Sequence, residues 1–443
     1  MALHIPVDFV GPTSVMAATN PLLIGEDLPG GEGPLWGVSP FGSLQPWAPY
    51  HWKEAQNIKG MVFQVWGDKD GGKSTLGMSL PYRVFTYFHR VEDDGTVIIP
   101  IIRMYNMRRN EDVPELLGVT EAMGGRFYEL KGKALNIFDD GMGLDEERIR
   151  ELFRELLEAH GREPLDDHVI EVFNIAIESM LIDAKKREVR PSIDDLVGFV
   201  SKVNKAQQTR YLTNLTGYTV ESPDTEDELR RYAAEATKKL GNFIAANGSL
   251  FGGTGSMKAL FEEPMLTWDF SQLTIPQLVL VYKATNTWQR NAIDNSITAM
   301  SPTFIVVDEA WQLRRVPEFN EEDLRLRKLI RAKDIVYLNI SHRMGDAETG
   351  SDADTADYAR AMGAMEEVDC HILFRMERDK DHRVLLDDLH LFPEEVKVIS
   401  KLNTGECYVV MSKKRFRLQG FLTTAEKAFS DTNKAVRRVL GTA

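Results

Sequence analysis

The feature of this sequence that most constrains its fold is a glycine-rich segment, residues 67–74, between an apolar run and a helical pattern. Its letters, GDKDGGKS, fit the pattern G-x4-G-K-[ST] without a gap. Residues 61–66 form the short apolar run typical of a buried strand. From residue 73 to about residue 90 the apolar spacing is helical, with Pro81 as an expected kink. A strand, a glycine-rich loop and a helix in this order predict an α/β domain with a phosphate-binding loop.

The composition is that of a folded, acidic protein. The chain has 443 residues, is 43% hydrophobic and 27% charged, and carries a net charge of −14, which excludes disorder along the whole chain. The charge argues against coating of nucleic acid through bulk charge and leaves a local basic channel open. Two cysteines, Cys370 and Cys407, suit reduced thiols better than disulfides or metal ligands. With no signal peptide pattern and no run of about 18 apolar residues, we expect a cytosolic protein.

Differences in composition and hydrophobic periodicity along the chain predict the domain organisation. Residues 1–60 are rich in Pro, Gly and Trp, and they predict an irregular arm laid over a core. Residues 145–247 are charged and helix-periodic, and they predict an inserted all-helical subdomain. Residues 61–144 and 248–443 alternate strand and helix signals, which predicts a core built on a mainly parallel sheet covered on both faces.

The later strand signals belong to this core. Two of them predict a hairpin on the sheet edge, at 406–411 and 415–420, with a closing helix from Thr424. The others predict buried strands at 97–102, 266–270, 303–307, 335–340 and 371–374.

The glycine-rich segment has the chemistry of a nucleotide site. Backbone N–H groups around its glycines can turn toward phosphate oxygens, at the positive end of the following helix. Lys73 is expected to reach the β- and γ-phosphates, and Ser74 to ligate Mg²⁺. The nucleotide-binding set is therefore Gly67, Gly71, Gly72, Lys73, Ser74 and Thr75. Two acids in the loop, Asp68 and Asp70, would repel a triphosphate, so we expect weaker binding than a typical loop gives.

A second carboxylate pair completes the predicted site. The apolar run 304–307 leads directly into Asp308 and Glu309. Strands of α/β sheets present ligand-binding groups at their carboxyl ends. Asp308 is expected to hold Mg²⁺ through water, and Glu309 to polarise the attacking water. The two motifs together predict hydrolysis of a nucleoside triphosphate, with ATP and Mg²⁺ as the expected ligands.

Over about residues 60–435, these motifs and several others resemble the motor ATPases of type IV secretion and conjugation systems. That family, the TraC-like or VirB-type ATPases, belongs to the RecA-like DNA-pump class. The strand followed by Asp308-Glu309-Ala310-Trp311 is more specific than a plain carboxylate pair. The remaining matches are Gly124-Gly125 with 135–139, the glycine stretch 248–253, Asp269-Phe270-Ser271-Gln272-Leu273, the segment 331–346, and Gly405-Glu406.

The resemblance implies a RecA-like core that assembles into an oligomer, with a hexameric ring as one form, and contacts secretion-channel proteins at the inner face of the cell membrane. It implies an arginine supplied by a neighbouring protomer, for which Arg331 is the best match and Arg343 and Arg375 are the alternatives. It also implies a sensor at Ser341-His342, where the family has Gln after Thr. The family's N-terminal docking domain has no counterpart before Gly67, so we expect a truncated chain or a separate docking part.

Departures from the family pattern keep other functions open. Residues 102–106 replace an acidic stretch, and Ile137 replaces a proline, so the rate of hydrolysis is in question. One alternative is a ring ATPase that translocates DNA, which the net charge of −14 disfavours without excluding. Another is an assembly module that binds ATP and hydrolyses it little. The acidic loop and His342 favour this last alternative.

Overall fold

The computed structural model describes residues 27–108, 115–130, 133–139, 143–217, 225–294, 301–309, 317–341, 367–412 and 414–430. Two sheets lie within these residues, one of eleven strands and one of two. The strands are β1 (Leu35–Val38), β2 (Leu44–Pro46), β3 (Val62–Trp66), β4 (Arg90–Val91), β5 (Val97–Ile98), β6 (Ile101–Asn106), β7 (Arg126–Glu129), β8 (Met265–Asp269), β9 (Thr303–Asp308), β10 (Val336–Ile340), β11 (Cys370–Leu373), β12 (Glu406–Met411) and β13 (Lys414–Gly420).

The described helices separate the strands along the chain. They are α1 (Pro49–Glu54), α2 (Lys73–Phe88), α3 (Leu117–Ala122), α4 (Glu146–Gly161), α5 (Asp167–Arg187), α6 (Ile193–Val200), α7 (Lys205–Thr216), α8 (Glu226–Phe251), α9 (Lys258–Glu262), α10 (Ile275–Asp294), α11 (Pro317–Ala332), α12 (Asp379–Asp387), α13 (Pro393–Ile399) and α14 (Thr424–Ser430). Among the described residues, no helix is long and apolar enough to cross a membrane.

The large sheet is parallel at its centre. Its order is β2-β1-β13-β12-β11-β3-β10-β9-β6-β8-β7, and the six strands from β11 to β8 pair in parallel. Every residue of β3 and β9 is buried, as expected for parallel strands covered on both faces. The mainly parallel sheet predicted from the sequence is therefore confirmed.

The predicted hairpin forms, as β12 and β13, and it pairs antiparallel with β11. It is not the outermost part of the sheet, because β1 pairs antiparallel with β13 and β2 follows β1. Those two strands come from the N-terminal arm. Gly37 and Val38 pair with Gly420 and Gln419, so the arm closes the end of the sheet that the hairpin would otherwise leave exposed.

Three tryptophans in the described part of the arm, Trp36, Trp47 and Trp52, pack into the core. Trp47 stands at right angles to Trp36, with ring centroids 4.9 Å apart, and its ring lies 4.4 Å from that of Phe63 on β3. Trp52 is fully buried, and its indole N–H donates a hydrogen bond to the carbonyl oxygen of Pro29. The described residues of the arm therefore contribute side chains to the hydrophobic core.

The chain divides into two compact units, and each is described here on its own. The first contains residues 1–128, 263–271 and 300–443 and holds the large sheet. The second contains residues 129–262 and 272–299, a span that includes the predicted insertion 145–247.

Helix caps explain the local structure of the second unit. Asp145 accepts a hydrogen bond from the backbone of Arg148 and begins α4. Ser192 and Asp195 form a capping box at the start of α6. The ammonium of Lys283 on α10 lies 3.0 Å from a carboxylate oxygen of Glu155 on α4, in a largely buried ion pair. This pair ties the helix after residue 272 to the helices of the insertion.

Candidate nucleotide-binding site

The glycine-rich segment forms a turn between β3 and α2 that only glycine allows at two positions. At Gly67 the backbone φ is +153°, and a Cβ would lie 2.6 Å from the Cβ of Phe374. At Gly72 the φ is +113°, and this residue begins α2 with no side chain capping the helix. The first N–H groups of a sixteen-residue helix are thus not satisfied by a side-chain cap, the arrangement that receives phosphate in nucleotide sites.

Lys73 lies in the first turn of this helix with only 4% of its surface exposed. Its ammonium donates a hydrogen bond of 2.7 Å to the backbone carbonyl oxygen of Asp68. Burial lowers the pKa of Lys73, while the charges of Glu309, Asp308 and two loop acids oppose that shift. The carboxylates predicted from two distant parts of the sequence therefore lie close enough to act on one lysine.

The two loop acids, Asp68 and Asp70, differ in their environments. The carboxylate of Asp68 accepts a hydrogen bond of 3.0 Å from the backbone N–H of Glu377. Asp70 is exposed at the tip of the loop, with a left-handed φ of +64°. The carboxylate of Asp68 is thus engaged by the protein, and Asp70 remains as the acid whose charge faces solvent beside the phosphate site.

Asp308 ends β9 two strands away from the strand that precedes the loop. Ile340 of β10 is paired with Val65 of β3 on one side and with Asp308 on the other. At roughly 4.8 Å per strand spacing, the backbones of Val65 and Asp308 are separated by about 10 Å. The carboxyl ends of β3 and β9 thus lie on the same edge of the sheet, with β10 between them. Asp308 is 2% exposed, so its carboxylate lies in a largely dry part of the site.

Glu309 leaves the regular strand geometry. Its φ is +62°, in the left-handed region, and its N–H donates to the carbonyl oxygen of Ile340 at 3.1 Å. A residue without glycine's freedom is held in this conformation only where its surroundings fix it, which is common at active sites. Glu309 is 3% exposed, so the strained turn places a second carboxylate at the buried end of β9.

The oxygen groups available suit Mg²⁺. Ser74 lies half-buried in the first turn of α2, beside Lys73, and Thr75 follows it in the same state. A serine hydroxyl and the carboxylate of Asp308 are hard oxygen ligands, and Mg²⁺ keeps several waters when it binds through one or two such groups. The concentration of acids around Lys73 also favours a nucleotide that arrives with a divalent cation.

Of the predicted sensor pair, Ser341-His342, the structure describes only Ser341. Ser341 is fully buried, and its N–H donates to the carbonyl oxygen of Val65 at 2.9 Å. Its hydroxyl lies 3.3 Å from both the amide nitrogen of Gln64 and the amide oxygen of Asn339. These contacts join β10 to the strand that leads into the phosphate loop. His342 and Arg343 lie outside the described residues.

Arg331 lies away from the phosphate loop of its own chain. It ends α11 at the amino-terminal side of the sheet, where its guanidinium is 3.8 Å from the carboxylate of Glu367 and 4.0 Å from that of Asp369. Asp369 also accepts hydrogen bonds from the N–H groups of Gly60 and Val62, at the start of β3. Arg331 is therefore not part of its own chain's site, and its action on a neighbouring site stays a prediction.

Two other motifs hold strand ends and loops. Asp269 accepts hydrogen bonds from the amide of Asn106 at 2.9 Å and the hydroxyl of Ser271 at 3.0 Å, and Asn106 is paired in register with Asp308. Within the second unit, Asp139 accepts from the N–H of Met257 and the hydroxyl of Ser256. The carboxylates of both aspartates accept hydrogen bonds from nearby residues, so their role in this structure is to hold the local backbone in place.

The loop also has neighbours that sequence reasoning did not place there. The N–H of Gly405 donates to the carbonyl oxygen of Gly71 at 2.9 Å, and the hydroxyl of Thr404 donates to the carbonyl oxygen of Asp70 at 3.3 Å. Phe374 and Arg375, just after β11, contact the other half of the loop. The Gly405-Glu406 pair was the available signal for the first contact; a lone phenylalanine after a strand gives none.

The order of the large sheet and the glycine-rich turn between β3 and α2 define the class of this fold as RecA-like α/β. Among solved structures, VirB4 of Thermoanaerobacter pseudethanolicus has a similar fold, with a TM-score of 0.63 and 16% identity over 90% of this chain and 100% of that chain. The bacterial conjugative coupling protein TrwBdeltaN70, in its unbound form, matches with a TM-score of 0.52 and 13% identity over 88% of both chains. The plasmid coupling protein TrwB in complex with ADP and Mg²⁺ matches with a TM-score of 0.52 and 14% identity over 89% of this chain and 91% of that chain. No protein-family sequence model and no curated protein sequence matches the chain.

Proposed function

We propose that this chain is an ATP-hydrolysing motor of a type IV secretion or conjugative transfer system. The observation that carries the proposal is the strand register, which places Asp308 and Glu309 at the carboxyl end of β9, two strands from a helix start shaped to receive phosphate. The fold shared with VirB4 and with the conjugative coupling protein TrwB supports the secretion and conjugation setting. The TrwB structure with ADP and Mg²⁺ supports the choice of nucleotide and cation.

Each residue has a defined task in the proposed reaction. The loop backbone and Lys73 bind the β- and γ-phosphates, and Ser74 and Asp308 hold Mg²⁺. When bound, Mg²⁺ neutralises charge that develops on the phosphate oxygens. Glu309 accepts a hydrogen bond from a water, which orients the water oxygen toward the γ-phosphorus. A bond forms from that oxygen to phosphorus while Glu309 takes up a proton of the water, the bond to the β–γ bridging oxygen breaks with its electron pair remaining on ADP, and ADP and inorganic phosphate leave.

Two further residues have proposed roles: Arg331, which lies away from its own chain's site, and His342, which lies outside the described residues. Arg331 would stabilise the transferring phosphoryl group of a neighbouring protomer, which requires an oligomer such as a hexameric ring. His342 would hydrogen-bond to the γ-phosphate or to the water. In this setting the motor acts in the cytoplasm, at the inner face of the cell membrane, on channel proteins whose assembly or substrate transfer it powers.

One experiment separates this motor from its rivals. Turnover of ATP is measured for the wild type and for Glu309→Gln, each with and without DNA, and the assembly state is measured alongside by light scattering. We expect turnover that does not depend on DNA and that falls by at least about a hundredfold in the variant, with nucleotide binding intact. DNA-stimulated turnover would favour the translocase, and nucleotide binding without turnover would favour the assembly module. A wild type that binds no nucleotide would overturn all three.

A further inference from the structure

Phe374 lies against the phosphate loop on the side of β11. It follows that strand directly and is 3% exposed. Cβ atoms built at Gly67, Gly71 and Gly72 would lie 2.6, 3.2 and 3.2 Å from atoms of the Phe374 side chain. One aromatic side chain therefore contacts both ends of the loop, and it occupies space that side chains at those three positions would need.

The backbone next to Phe374 fixes the first half of the loop. The N–H of Phe374 donates to the carbonyl oxygen of Trp66 at 2.8 Å, which continues the pairing of β11 with β3. The N–H of Asp68 then donates to the carbonyl oxygen of Arg375 at 2.8 Å, and the Asp68 carboxylate accepts from Glu377. Segment 374–377 thus runs beside the loop and holds it through Trp66 and Asp68. None of these hydrogen bonds involves the N–H groups at the start of α2.

The turn before β12 fixes the second half. Gly405 donates to the carbonyl oxygen of Gly71, and its own carbonyl oxygen accepts from Gly420 at 2.9 Å. A Cβ at Gly72 would lie 3.3 Å from the Cα of Gly405, so this turn packs directly on the loop. With Phe374 on one side and Gly405 on the other, the loop is supported before any phosphate arrives.

We propose that Phe374 is a positioning residue for nucleotide binding, which sets the loop so that its N–H groups converge on the β-phosphate. This assignment rests on the proposed function. Phe374 has no polar group to offer a ligand, so it acts only through the loop. Removing its ring leaves a void beneath the loop, and the loop then spends part of its time in shapes that do not bind phosphate.

The test compares nucleotide affinity with stability in matched variants. Dissociation constants for Mg-ADP and Mg-ATP are measured by calorimetry for the wild type, Phe374→Ala, Phe374→Leu and Phe416→Ala, at a temperature where thermal unfolding shows all four folded. Phe416 on β13 is equally buried and belongs to the same hydrophobic cluster, so it controls for loss of core packing. We expect Phe374→Ala to weaken both nucleotides by about ten- to a hundredfold.

The other two variants sharpen the expectation. Leucine and alanine both keep the Cβ near Gly67 and Gly71 and lack the ring atom near Gly72, but leucine fills part of the ring's volume, so Phe374→Leu should fold and show a smaller loss. Phe416→Ala should lose stability and keep its affinity. If both Phe374 variants bind as the wild type does, or if Phe416→Ala weakens binding as much as Phe374→Ala, the assignment is overturned and the proposed function stands. If the wild type binds neither nucleotide, the proposed function fails and the assignment fails with it.

Discussion

Lys73 donates its hydrogen bond to the carbonyl oxygen of Asp68, at 2.7 Å, so the lysine is folded back on the loop that it belongs to. A bound phosphate would take the place of that carbonyl as the acceptor. The exchange costs little, because one buried hydrogen bond replaces another. The buried lysine therefore has a hydrogen-bond acceptor within its own loop.

Asp70→Ser should tighten the binding of Mg-ATP. The substitution removes a negative charge at the tip of the loop, and because Asp70 is exposed the gain is modest, about fivefold or less at low salt. Calorimetric titration measures it, and the gain should shrink as salt is added. Asp93→Ser, at another exposed acid, serves as the control and should bind like the wild type. An unchanged affinity of Asp70→Ser at low salt would show that the loop acids do not weaken binding.

Arg331→Ala should abolish hydrolysis and leave nucleotide binding intact, because the arginine is expected to act on a neighbour's nucleotide. Mixing makes the trans requirement visible. Arg331→Ala keeps an intact phosphate loop, and Lys73→Ala keeps Arg331. In a mixed oligomer the arginine of one variant can act on the nucleotide bound by the other, so the mixture should regain turnover that neither shows alone. Arg325→Ala, on the same helix and 46% exposed, is the control for charge removal. Full turnover by Arg331→Ala alone, or a mixture that stays inactive, would contradict the role in trans.

Arg83 and Glu426 join α2 to α14 in a buried ion pair. Burial alone would raise the pKa of Glu426, but hydrogen bonds from Arg83 and Thr423 bring it below the ordinary value of 4.5. A carboxyl whose pKa is lower in the folded state stabilises the protein above its unfolded pKa, and that stabilisation is lost as the pH falls through the folded value. Breaking the pair with Arg83→Ala should cost about 3–5 kcal/mol at neutral pH.

Denaturant unfolding between pH 7 and pH 3 measures this cost. The difference between wild type and Arg83→Ala should narrow as Glu426 takes up a proton below pH 4.5. Arg90→Ala removes an exposed pair with Glu92 and should change stability by less than about 1 kcal/mol. A difference that stays constant with pH would assign the cost to lost packing of the arginine stem.

Trp52→Ala should destabilise the first unit by about 3–5 kcal/mol, because it empties a fully buried site next to Trp47 and Phe63. Thermal and denaturant unfolding measure the loss. Tyr87→Ala, at a side chain that is 41% exposed, is the control for removal of an aromatic group. A loss no greater than that of the control would mean that the arm can leave the core freely.

The sequence predicted the parts of this fold that local pattern determines. The apolar run of β3, the glycine turn and the periodicity of α2 are contiguous, and the carboxylates of Asp308 and Glu309 follow directly on their strand. Each can be inferred without knowing what packs against it.

What the sequence did not predict depends on distant pairs. Strand β1 pairs with β13 across almost the whole chain, and no signal in the arm indicates that partner. The support of the loop by Phe374, and the ion pairs of Arg331 with Glu367 and Asp369, also join residues far apart in sequence. The left-handed turn at Glu309 goes against its residue type, so only the surrounding structure explains it.

Strand β11 connects the contact with Arg331 at one edge of the sheet to the phosphate loop at the opposite edge. At its start Asp369 meets Arg331, and at its finish Phe374 meets the phosphate loop. The span is about 17 Å of extended chain, clamped by backbone pairing to β3 and β12, which leaves it little room to stretch or bend. In the proposed oligomer, where Arg331 acts on a neighbouring protomer, the residue that holds Arg331 and the residue that supports the phosphate loop therefore lie at the two ends of one strand.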